Sequence, residues 1–118
     1  MIVVSAFLFM LTASSPSTTD AYSNFKELSA NLDSRVEWID KYGSHLKSRK
    51  DAIRLLDKIS SSVDDAVYTM RHRSDWRGDQ SFRIIHIDGS NAGFRVFFQC
   101  RKNRKGHCTV TKIKITEL

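Results

Sequence analysis

Four histidines, two cysteines and two clusters of basic side chains are the residues of this 118-residue chain with chemistry to offer. His72 stands between Arg71 and Arg73, and an imidazole on a basic surface is the one candidate, a weak one, for a general base. His86 falls inside an apolar run, FRIIHID, where a hydrogen-bonded, partly buried ring is the simpler reading. His107 precedes Cys108, a pairing that activates a thiol only where the thiol is free. His45 has no accompanying motif. Asp64 and Asp65 offer neighbouring carboxylates without a metal-binding context, and their place is the end of a helix. No GxSxG, Walker loop, HExxH or zinc-ligand spacing occurs. The sequence thus calls for no metal and no cofactor, and it leans away from an enzyme. Metal-independent ribonuclease chemistry asks only for a few His, Arg, Lys or Glu residues converging on a basic surface, which is too loose a requirement to count as a signal.

The basic residues are unevenly placed. The formal charge is +6. Residues 22–70 carry eight Lys/Arg and eight Asp/Glu, whereas residues 71–118 carry eleven Lys/Arg and only four Asp/Glu. One cluster is Arg71-His72-Arg73 with Trp76 and Arg77 nearby; the other runs from Arg101 to His107. This predicts a contact with a polyanion, whether glycan, nucleic acid or anionic lipid. Lys102, Arg104 and Lys105 would lead, with Arg71, Arg73 and Arg101 behind them. The competing explanation is that cations on a hairpin protect a sheet edge from aggregation.

Two features bear on compartment. Ile2–Ala13, IVVSAFLFMLTA, has the length of a signal-peptide apolar region and is too short for a membrane span. Ser/Thr-rich sequence follows, so residues 1–21 read as a signal peptide and 22–118 as one secreted domain, with earlier cleavage possible at Ser14 or Ser15. The alternative makes Val3–Leu11 a buried first strand. Cys100 and Cys108 flank a short basic tip, and their surroundings, FRVFFQC and CTVTKIKI, read as paired strands. Antiparallel neighbours lie within disulfide reach, and closing so small a loop is worth roughly 2–3 kcal/mol.

The elements that must position these residues follow from periodicity. Phe25, Leu28, Leu32, Val36, Ile39 and Tyr42 recur at steps of three or four, predicting a helix over Asn24–Tyr42. Asn24 with Glu27 has capping-box spacing, and Gly43 suits a helix end. Ser48 with Asp51 repeats the cap before a second helix, Arg49 to about Ser60, reached by the short connection Gly43–Lys47. From Val67 the period becomes two, predicting strands at Val67–Arg73, Ser81–Ile87, Gly93–Arg101 and His107–Thr116. In the last strand Cys108 and Val110 are apolar at even positions but Ile113 and Ile115 at odd ones, so a bulge is expected near Thr111–Lys112. The predicted fold is α+β: two N-terminal helices packed on a curved four-stranded antiparallel sheet.

The helix opening on RKDAIRLLDKIS, followed by FRIIHIDGSNAGFRVFFQC and CTVTKIKI, resembles small secreted domains of the nuclear-transport-factor-2-like fold. The resemblance spans roughly Phe25–Ile115. It implies a pocket between helices and sheet and no particular activity. That family places a strand or hairpin between its helices, where Gly43–Lys47 leaves little room. AIRLLDKI followed by SFRIIHI and GFRVFFQC is also similar to the layout of RelE/ParE-type messenger-RNA interferase toxins. That second resemblance implies a cytoplasmic, RNA-binding, metal-independent ribonuclease with Val3–Leu11 as its first strand.

Overall fold

The computed structural model describes residues 18–118. The apolar run Ile2–Ala13, and with it both readings of that segment, lies outside the described residues. The chain order is helix α1 (Thr18–Ala30), strands β1 (Leu32–Asp40) and β2 (Gly43–Ser48), helix α2 (Arg49–Ser61), then strands β3 (Val67–Arg73), β4 (Gln80–Asp88), β5 (Gly93–Lys102) and β6 (Cys108–Glu117). All six strands form one sheet in the order β2-β1-β6-β5-β4-β3. The β1–β6 pair is parallel and every other pair is antiparallel. The fold is α+β, as expected, but the sheet is mixed and has six strands where four antiparallel ones were predicted.

The difference comes from one segment. The predicted helix over Asn24–Tyr42 is two elements. Ala21, Phe25 and Leu28 form the buried stripe of α1, and Asp20 lies in its first turn, where a carboxylate complements the helix dipole. Asn24 does not cap; its side-chain amide donates to Asp20 O within the helix. After Asn31 the chain extends, and Leu32, Val36 and Trp38 turn inward. A spacing of four residues fits a helical face and is also twice the strand period, so Leu28, Leu32 and Val36 satisfy both patterns. Gly43 has φ +115° and closes the β1–β2 hairpin instead of a helix. The Tyr42 amide donates to Asp40 Oδ1 at that turn. The hairpin therefore supplies the element between the helices for which the sequence reading found little room.

The rest follows the sequence closely. Ser48 caps α2, its hydroxyl accepting from the Asp51 amide, and Ala52 and Leu56 are buried. Gln99 pairs with Lys112 but Cys100 with Val110, so Thr111 is the extra residue of a bulge. Both Val110 and Ile113 thereby reach the core. A second shift in β3, between Met70 and His72, leaves Arg71 without an opposite residue. Phe98, Ile85, Ile87 and Val96 fill the inner face of the sheet beneath both helices. Cys100 and Cys108 form a disulfide with Cα atoms 5.0 Å apart; they are diagonal neighbours, since Cys100 faces Val110 and Cys108 faces Lys102. Among the described residues no helix is long and apolar enough to cross a membrane.

Candidate functional site

The predicted contact residues divide into three groups. Lys102, Arg104 and Lys105 lie at the β5–β6 tip and are exposed. The tip is built on Asn103, whose Oδ1 accepts from the backbone amides of Lys105 and His107 while its backbone N–H donates to His107 O. The Lys102 amide donates to Asp79 O at 2.7 Å, tying the tip to the β3–β4 loop. That loop carries Trp76. Lys102 Nζ lies 5.1 Å from the Trp76 ring centroid, and the Arg83 guanidinium lies 6.0 Å from it. Arg73 joins the same region by lining a cavity of about 200 Å³ with Trp76, Arg83 and His107. Arg101 differs: it pairs with Asp33 of β1 at 3.0 Å. Arg71, the bulge residue of β3, acts electrostatically on His86 of the outer sheet face, apart from the tip.

Arg83 is the residue the sequence reading missed. It is 7% exposed, yet it forms no ion pair among the described residues. Its Nη1 donates to Ser81 Oγ at 2.8 Å and weakly to Phe82 O. Burial pulls the guanidinium below its usual range, Arg73 adds to this, and Glu27 on α1 opposes it. The signal was present in period two. Ser81, Arg83, Ile85 and Ile87 occupy alternate positions of β4, all facing inward, so an arginine stands where an apolar residue is expected.

His72, the candidate base, is exposed on β3 and stacks on Phe82 at 5.1 Å, which stacks in turn on Phe97. The rings border an open groove of about 590 Å³ on the outer face. No acid accompanies His72 in a hydrogen-bonded arrangement among the described residues. His86 accepts from Arg95 Nε at 3.0 Å through Nε2, which requires a neutral ring protonated at Nδ1. Partial burial, then Arg95 and Arg71, hold its pKa below the usual histidine value, against a smaller effect of Asp88.

A second concavity lies on the other side of the core. Trp38, Leu55, Ile59, Phe94 and Ile115 form the apolar wall of a cleft of about 750 Å³ between α2 and the sheet, with Asp40, Lys58 and Glu117 among its polar lining. The Trp38 indole donates to Asp40 Oδ2 at 3.1 Å. This is the helix-to-sheet pocket that the fold resemblance implied.

No family model matches the sequence, and no curated protein matches it. Solved structures do. A DUF4783 family protein from Bacteroides fragilis is 23% identical with a TM-score of 0.65, over 80% of this chain and 88% of that one. One from Bacteroides ovatus is 19% identical with a TM-score of 0.67, over 80% and 84%. An NTF2-like protein of unknown function from Silicibacter pomeroyi is 14% identical with a TM-score of 0.58, over 98% of both chains. At such identities the likeness is architectural, and with the helix–hairpin–helix start and the bent sheet it shows that this chain has a nuclear-transport-factor-2-like fold.

Proposed function

We propose that this protein is an exported, non-catalytic binding domain that takes an anionic polymer at its basic end. One observation carries the reading: Lys102 and Arg83 approach the same Trp76 ring from two different strands, and a backbone hydrogen bond between Lys102 and Asp79 holds the two loops together. Arg104 and Lys105 extend the charge outward from that point. An aromatic ring among cations gives a polyanion both charge and a stacking platform. Arg101, tied to Asp33, contributes less, and Arg71 contributes from the outer face. Export is supported by the Cys100–Cys108 disulfide, a bond that persists in oxidising compartments, and by the apolar composition of Ile2–Ala13.

Retention on a heparin column tests the reading. The variant Lys102→Gln/Arg104→Gln/Lys105→Gln should elute with the flow-through at moderate salt, while the parent elutes late. Elution at the same salt would refute it.

A further inference from the structure

We infer that the cavity under α1 is a binding site for a single carboxylate group, held by Arg83. The cavity of about 200 Å³ lies between α1, which contributes Asn24 and Glu27, with Asn31 just beyond its end, and the β4 and tip residues Arg83 and His107. Trp76 forms part of its wall. The size suits one small charged group, not a polymer segment. Among the described residues only Nη1 of Arg83 has protein acceptors. Among the described residues no fully buried side-chain nitrogen or oxygen lacks a partner, so Nε and Nη2 keep some exposure, and Arg83 lines this cavity. That leaves one edge of the guanidinium fork, two parallel N–H groups, without an acceptor. The edge matches the two oxygens of a carboxylate.

The local charge explains why an anion is needed and which one. Arg73 lies close enough to Arg83 to disfavour its charge. Glu27 offsets part of this, but among the described residues it makes no ion pair with the guanidinium. A charged side chain nine-tenths removed from water and lacking an ionic partner is unfavourable, and a ligand anion repairs it. Two cations, Arg73 and Arg83, and one anion, Glu27, leave a single net positive charge at the cavity; a monoanion balances it and a dianion overshoots it, which favours carboxylate over sulfate or phosphate. The inference deepens the proposed anion-binding function: the tip cations attract an acidic polymer, and this cavity takes a carboxylate that the polymer or a small acid presents.

The test is an NMR titration with sodium acetate, replacing chloride at constant ionic strength. The Trp76 indole N–H and the Arg83 Nε–H should shift together and saturate. The Trp38 indole, committed to Asp40 beside the other cleft, should stay still. Arg83→Lys keeps the charge but removes the fork, and it should weaken binding at least tenfold. Should that variant fail to fold, Glu27→Gln on the exposed face of α1 still decides: it should tighten acetate binding by about threefold, the worth of one surface charge. Absence of a saturable shift, an unchanged affinity in Glu27→Gln, or tighter binding of sulfate or inorganic phosphate than of acetate would each overturn the assignment. The two readings fail separately. Arg104→Gln/Lys105→Gln should lower heparin retention and leave the acetate titration as in the parent.

Discussion

Reducing the Cys100–Cys108 bond should destabilise the domain by an amount the loop length sets. The two residues are 8 apart, and constraining a loop that small in the unfolded chain contributes about 2.5 kcal/mol. For a domain of this size that corresponds to a fall of about 10–20 °C in Tm. Reduction is a cleaner perturbation than substitution, because Cys100 is fully buried and Cys100→Ala adds a cavity to the loss of the bond. Urea unfolding with and without reductant gives the difference directly. The slope should rise on reduction, since the released unfolded chain exposes more surface. The tip turn itself should persist, because Asn103 Oδ1 holds the Lys105 and His107 amides independently of the sulfurs. Amide exchange should therefore accelerate throughout the sheet, and not at residues 103–107 alone. Coincident urea midpoints for the oxidised and reduced protein would refute the reasoning.

Three further outcomes follow from the contacts. Gly89 in the β4–β5 turn packs so closely against the segment after α2 that an added Cβ overlaps Asp64 O and Val63 Cγ1. Gly89→Ala should cost about 1–3 kcal/mol in urea unfolding, and an effect near zero would show that this segment yields. His86 should titrate below the usual histidine value when followed by NMR, and Arg95→Ala should raise its pKa. Because the folded value is depressed, the unfolded chain takes up this proton first; stability is complete above the unfolded pKa and declines as pH falls from there toward the folded pKa. A His86 that titrates at or above the ordinary value would contradict this. Asp33→Asn releases Arg101 and should lengthen heparin retention at a stability cost of no more than about 1 kcal/mol, as for an exposed ion pair; unchanged retention would remove Arg101 from the contact surface.

The strands from β3 to β6 were legible because a period of two runs through them, cleanly in β4 and with one change of parity in β6, between turn residues. The bulge at Thr111 was legible for the same reason: a bulge is the way to bring both Val110 and Ile113 inward. The β1–β2 hairpin was hidden. Leu32 and Val36 fit either period, and Gly43 serves a hairpin turn as well as a helix end. What separates them is Trp38, off the helical stripe but two residues from Val36 and likewise buried. The parallel β1–β6 pairing was not accessible, since nothing local specifies a partner 75 or more positions away. Of the candidate site, the tip cations and Trp76 were visible as clusters. Arg83 was not, because it belongs to no run of basic residues and stands alone on an apolar parity.

That hairpin also decides where the charge acts. β1 comes from the neutral half of the chain, yet it pairs with β6 of the basic half. Its acids meet the cations there: Glu37 lies 3.6 Å from Lys112, and Asp33 lies 3.0 Å from Arg101. Lys41, at the hairpin turn, adds a third link to Glu117 at 3.6 Å. Such exposed pairs add little stability, but they cancel field over the β1 side of the sheet. The cations left without ion pairs among the described residues include Arg73, Arg83, Lys102, Arg104 and Lys105, gathered where the β3–β4 loop meets the β5–β6 tip. A basic face read from composition becomes a basic end once the strand order is known. Because fields between exposed charges decay over about 8 Å at physiological salt, an anionic partner senses that end well before it senses the net charge of the whole domain.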